Sequence, residues 1–80
     1  MSSPITLQTL KMLADYLDKH VLVRLKDGTG IKGKLKTYDQ HLNVVLSDAE
    51  EYNRDGQIRK LGLTLVRGDS VVVISPSGVD

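Results

Sequence analysis

Most of the chemistry available to this chain sits in two short stretches. His41 and Asn43 stand either side of Leu42, with Asp39 just before them, and Arg67-Gly68-Asp69 follows later in the sequence. An imidazole and a guanidinium each present a flat face on which a planar ring can stack. A carboxamide presents a donor and an acceptor side by side, Asp69 can hold Asn43 or Arg67 in orientation, and Asp39 can fix the loop backbone. Each residue also has a plainer reading. His41 suits a turn, Asn43 a turn or a strand start, Arg67 a surface ion pair, and Gly68 a place needing backbone freedom. Catalysis has little to work with: the sequence holds two His and no Cys, with no phosphate-cradling glycine loop and no cluster at metal-ligand spacing. A general base made of His41 with Asp39 or Asp69 has no activated nucleophile near it. No enzymatic activity, cofactor or metal is expected.

The elements that must position these residues can be read from periodicity. Leu10, Leu13, Ala14 and Leu17 fall on one face of a helix over about residues 6–18. Ser3-Pro4 or Thr6 suits its start, and Lys19 and His20 suit the negative end of its dipole. The period then changes to two. Strands are predicted at 20–26, 30–38, 42–51, 57–66 and 70–75, with Asp27-Gly28, Asn53 to Gly56 and Arg67 to Asp69 as turns. Ile31, Gly33, Leu35 and Thr37 alternate with Lys32, Lys34, Lys36 and Tyr38, placing the four last-named together on one face. Gly33 within a strand marks a strong bend. The fold class is mainly β: an N-terminal helix followed by a five-stranded, strongly bent antiparallel sheet forming a small open barrel.

Size and composition argue for self-association. Eighty residues make a single domain, 40% hydrophobic and 26% charged, which is ordinary globular chemistry. A core this small rarely supplies more than about 3–5 kcal/mol without a staple. The chain lacks Cys, Trp and Phe, and its only aromatics are Tyr16, Tyr38 and Tyr52. The last strand, Val71 to Ile74, is apolar on both faces, which on a free edge invites aggregation. Pairing that edge with a second copy removes the hazard, and head-to-tail pairing closes into a ring when the rotation fits. No segment is long and apolar enough for a bilayer, and no signal-peptide layout is present, so a cytoplasmic location is expected. Net charge is +1, divided as +3 over residues 1–44 and −2 over residues 45–80. An all-over basic surface for duplex DNA is absent, and a polyanion site must be local or built by repetition.

Two stretches resemble the paired signature of the Sm and Sm-like (LSm) family. Gly33 to Glu50, GKLKTYDQHLNVVLSDAE, is similar to the first motif, with its Gly, Asp and Asn spacing. Leu61 to Ile74, LGLTLVRGDSVVVI, is similar to the second around Arg-Gly-Asp, and Leu10 to Lys26 resembles the helix and first strand. Leu42 stands where the family commonly has Met, a volume-conserving change. The short loop from Asn53 to Gly56 looks most like archaeal members. The helix-first order separates this pattern from an OB-fold, and SH3-type peptide grooves need aromatic walls that the chain lacks.

The resemblance implies a homomeric ring of six or seven subunits joined through strands 4 and 5, binding single-stranded uridine-rich RNA at its central pore and serving RNA processing. It brings the two loops together at that pore. His41 and Arg67 then sandwich a base and Asn43 matches the uracil edge, while Asp39, Gly68 and Asp69 support the site. Lys32, Lys34, Lys36 and Tyr38 offer an outer RNA surface, whose plainer reading is a solvated strand face. RNA-processing proteins are further expected partners. A ring acting as a protein scaffold, with little RNA specificity of its own, is the competing function.

Overall fold

The computed structural model describes residues 7–77. A helix α1 (Leu7–Ala14) precedes five strands, β1 (His20–Leu25), β2 (Gly30–Tyr38), β3 (Val44–Tyr52), β4 (Ile58–Val66) and β5 (Val71–Pro76), with a 3₁₀ turn at Gly68–Ser70. All pairings are antiparallel, and the sheet order is β4-β3-β2-β1-β5. The two end strands are joined by only four residues, 67–70. Four residues reach about 13 Å, so the sheet must curl until its two ends approach. Curling brings the inward side chains of β1 to β4 onto one another. Val21, Val23, Ile31, Leu35, Val44, Leu46, Ala49 and Val66 form a single buried cluster.

The curl is made by displaced registers. On β3, Leu46 faces Thr64 and Ala49 faces Gly62, so Ser47 and Asp48 take up an extra residue, and Asp48 turns to φ 51°. Gly33 lies against this bulge: a Cβ there would stand 3.0 Å from the Ser47 carbonyl oxygen and 3.1 Å from the Ala49 Cα. A bulge lets both Leu46 and Ala49 point inward although they are three residues apart.

A second bulge corrects the expected face of β2. Leu35 pairs with Leu46, but Thr37 pairs with Val45 and Tyr38 with Val44, so Lys36 is the extra residue. Parity flips there. Thr37 becomes exposed, and Tyr38 turns to pack against the core instead of joining Lys32 and Lys34. Lys36 pairs with Asp18 at 2.8 Å.

The helix is shorter than its periodicity predicts. It ends at Ala14, and the amides of Tyr16 and Leu17 bond three residues back, to Leu13 and Ala14. Asp18 then adopts φ 63° and donates its amide to the Leu35 carbonyl at 2.7 Å. A left-handed residue satisfied by another element stops a helix. Leu17 therefore lies on a turn and is 39% exposed rather than core, whereas Leu13 is buried. His20 opens β1, at the residue where the first strand was expected to begin. The proposed caps at Ser3-Pro4 and Thr6, and the side chain of Leu10, lie outside the described residues. Strand 3 begins at Val44 rather than at residue 42, because residues 39–43 are held in a loop of their own.

Candidate nucleic-acid interface

Asp39 organises the β2–β3 loop. Its Oδ1 accepts the backbone amides of His41 at 2.8 Å and Asn43 at 3.0 Å, and its Oδ2 accepts the Asn43 carboxamide Nδ2 at 2.9 Å. The backbone closes the same loop, with Leu42 N donating to Asp39 O and Asp39 N donating to Asn43 O, both at 3.1 Å. Leu42 has φ 61°, a conformation a bulky residue adopts only when its surroundings impose it. Here the outcome is useful. Leu42 lines an apolar cleft with Leu13, Tyr16 and Val71, while His41 beside it stays exposed.

The β4–β5 connection docks onto this loop through backbone. Gly68 donates its amide to the Asn43 Oδ1 at 2.7 Å. A Cβ at Gly68 would collide with the His41 carbonyl group, 2.8 Å from its carbon, and with the Leu42 carbonyl carbon at 2.9 Å. Only glycine permits this approach. The two sequence stretches, 25 residues apart, thus meet through one carboxamide. A backbone N–H must meet the amide oxygen and a carboxylate must meet the NH₂ group, so the orientation of Asn43 is fixed. One N–H and one oxygen lone pair of that carboxamide are left uncommitted by these bonds.

Arg67 lies at the mouth of the same assembly. Its guanidinium reaches Asp69 Oδ2 at 3.1 Å, with side chains 76% and 66% exposed. Water screens such a pair, so it orients Arg67 without holding it fast. Asp69 was expected to hold either Asn43 or Arg67; it pairs with Arg67, and Asp39 takes Asn43. The Asn43 carboxamide is the largest influence holding the Asp39 carboxyl below the ordinary value of 3.8, aided by the two backbone amides and the nearby His41 ring, with desolvation opposing. Asp39 is thus an anion wherever the protein is near neutrality, and its acceptors stay available to the loop.

The structure therefore brings His41, Asn43 and Gly68 together and sets Arg67 and Asp69 beside them. Lys32 and Lys34 stand away from these loops, midway along β2. Sequence reasoning missed the part of Leu42, whose left-handed backbone leaves no signature in a residue type that normally avoids it. Among the described residues no group of His, Asp and Glu could hold a metal ion, and no helix is long and apolar enough to cross a membrane.

This arrangement can be placed among known proteins. The LSM domain model matches residues 11–76. An snRNP Sm-like protein of Aeropyrum pernix is 68% identical over 77 residues, covering 96% of this chain and 99% of its own. The Pyrococcus abyssii Sm protein, solved in complex with a uridine heptamer, superposes with a TM-score of 0.80 at 42% identity, covering 95% of this chain and all of that one. A P. aerophilum SmAP1 heptamer superposes with a TM-score of 0.82 at 44% identity, covering 89% of this chain and 95% of that one. The bent five-stranded sheet, the docked pair of loops and a match over nearly the whole length agree, and the chain belongs to the LSM-domain, or Sm-like, family, with archaeal Sm-like proteins among its near relatives.

Proposed function

We propose that copies of this chain close into a ring, seven as in the heptameric relatives, which binds single-stranded, uridine-rich RNA where residues 39–43 and 67–70 of successive copies face the centre. The observation that carries this reading is the Asn43 carboxamide, locked between Asp39 and the Gly68 amide and still holding one donor and one acceptor for a base edge. His41 and Arg67 flank it with two flat faces between which a uracil can stack. The exposed edges supply the assembly. Leu63 and Leu65 on β4 are 75% and 65% exposed, and Val72 and Val73 on β5 are 57% and 48% exposed. An edge strand of that character at each end of one sheet makes a heterologous, ring-forming contact.

Repetition makes weak pockets sufficient. One stack and two hydrogen bonds bind feebly, but linked sites along one strand gain about 10²–10⁴ in avidity. The ring then serves RNA processing as a binding platform in the cytoplasm and carries out no chemistry itself. The test is titration of the pure protein into labelled oligo-U and oligo-A, with native mass spectrometry reading the assembly. A closed ring that prefers oligo-U, and loses that preference in His41→Ala or Arg67→Ala while staying closed, supports the assignment. A closed ring indifferent to oligo-U overturns it in favour of a protein scaffold, and collapse of the ring in those variants makes the residues structural.

A further inference from the structure

The two loops of the site meet each other through backbone, and each also sends one apolar side chain to the same place. Leu42 stands between His41 and Asn43, and Val71 follows the 3₁₀ turn at once. Both line a cleft of about 150 Å³, which Met12 and Leu13 on α1 and Tyr16 on the turn that ends it also line. Neither anchor is remote from the base-binding groups. The Val71 amide donates to the Gly68 carbonyl, and the Gly68 amide donates to Asn43 Oδ1 at 2.7 Å. Leu42 is bonded directly to His41 and Asn43 along the chain.

The backbone at Leu42 shows what its side chain is for. Its φ of 61° is unfavourable for a bulky residue and persists where the surroundings impose it. Asp39 supplies part of the constraint by accepting the amides of His41 and Asn43 on either side. Gly or Asn at residue 42 would meet that demand with less strain. What leucine adds is an apolar side chain, half-buried in the cleft. The far side of the cleft is itself held. Asp18 donates its amide to the Leu35 carbonyl at 2.7 Å, Leu35 donates to the Lys19 carbonyl at 3.0 Å, and Lys36 Nζ reaches Asp18 at 2.8 Å. The turn that carries Tyr16 is thereby fastened to β2, and Tyr16 packs against the core.

We infer that Leu42 is a positioning residue of the base-binding site: together with Val71 it ties both loops to α1 and Tyr16, and this tie holds His41 and Asn43 where a base can use them. The inference rests on the reading of these loops as the RNA site. Leu42 acts through its two neighbours rather than by touching a base. The path from Tyr16 to Asn43 is a chain of packed side chains and backbone bonds with a fixed support at one end, which is the kind of structure that carries coupling.

The test uses the full chain and two readouts, titration with labelled oligo-U and amide hydrogen exchange at Gly68 without RNA. Leu42→Gly keeps the left-handed backbone accessible and removes the anchor. It is expected to assemble as its parent does by native mass spectrometry, to speed exchange at Gly68, and to lower oligo-U affinity about tenfold or more, the worth of a lost stack. Leu42→Asn favours the same backbone and is expected to show the same losses. Leu42→Met, whose flexible side chain can use the room in the cleft, is expected to recover both readouts. Tyr16→Ala, on the other side of the cleft, should lower oligo-U affinity as well, and adding Leu42→Gly to it should cost little more, because both changes cut one tie. If Leu42→Gly fails to assemble, Leu42→Asn and Tyr16→Ala carry the same comparison. Two results overturn the inference: unchanged oligo-U affinity on loss of the anchor in an intact assembly, or fully additive losses for Tyr16→Ala and Leu42→Gly. An unaltered chain that shows no preference for oligo-U refutes the RNA reading instead, and exchange at Gly68, unchanged or faster in Leu42→Gly, still decides whether the tie exists.

Discussion

The central strands and the edge strands of this sheet are built from similar residues and end in opposite environments. β1, β2 and β3 alternate strictly where they are unbulged, and Val21, Val23, Leu35, Val44 and Leu46 are completely enclosed. β4 is just as rich in Leu and β5 in Val, yet Leu63, Leu65, Val72 and Val73 stand in solvent. Hydrophobic content does not separate the two regions; the availability of a covering surface within the chain does. The centre is a finished core, and the edges are half of an interface. An isolated protomer with two such edges has unpaired backbone groups and exposed apolar side chains in one place, which is the profile of a strand awaiting its partner.

The sharpest way to break this comparison is to charge the edges while leaving the centre alone. Leu65→Glu combined with Val73→Glu is expected to convert the assembly to monomers that keep their circular dichroism, seen by analytical ultracentrifugation. Oligo-U binding should fall by about 10²–10⁴, the avidity of linked sites. Retention of the assembly in that double variant sinks the edge-pairing account. The converse change is Leu46→Ala, in the enclosed half. It is expected to cost about 2–5 kcal/mol of stability by denaturant titration, and to weaken assembly only through unfolding.

The contact between loops is the third point of attack. Gly68→Ala puts a methyl group into the His41 carbonyl, so the two loops must separate and the Gly68 amide leaves Asn43. The expected result is a large loss of oligo-U affinity with the sheet intact, read by titration beside amide exchange at Gly68. Affinity equal to that of the unaltered chain shows that the loops act independently. Asn43→Ala removes the same tie from the other side: Asp39 keeps the two backbone amides but its Oδ2 loses the carboxamide, and the Gly68 amide loses its acceptor, a loss of stability of about 0.5–1.5 kcal/mol per bond by denaturant titration.

How much of this was legible beforehand differs between the same two regions. The strands, their order of polarity and the apolar last strand follow from period-two patterning, and the turns at Asp27-Gly28 and Asn53 to Gly56 follow from residue type; Gly28 and Gly56 indeed take φ 89° and 90°. Bulges leave almost no trace. The extra residue at Lys36 reverses Tyr38 from the expected lysine face to the core, and nothing in a Lys-Thr-Tyr run announces it. The helix end was misread for a related reason. Leu17 continues the helical spacing, but a hydrogen bond from Asp18 to Leu35, seventeen residues on, ends the helix first. At the site, residue types named His41, Asn43 and Arg67 as the chemistry-bearing groups, and family resemblance alone placed their loops together. Which carboxylate holds Asn43 is a matter of geometry, and the nearer one in sequence, Asp39, does so.

The smallest expected effect concerns pH and sharpens the contrast between a loop held by charge and a core held by burial. Asp39 titrates below the ordinary 3.8 in the folded chain, chiefly because Asn43 donates to it. A folded value lower than the unfolded one means that the contribution is present in full above the unfolded value. It is lost as pH falls through the folded one. The loop should therefore keep its form from neutrality down to about pH 4 and loosen in the acidic range beneath 3.8, with the core strands unaffected until lower pH. Carbon-13 titration of the Asp39 carboxyl, followed together with the amide shifts of His41, Asn43 and Gly68, reads this directly. In Asp39→Asn the three amides should lose their shared acid transition. If they still move together in that range, another carboxylate controls the loop, and Asp69, the only other carboxylate bonded to a residue of this site among the described residues, is the one to replace next.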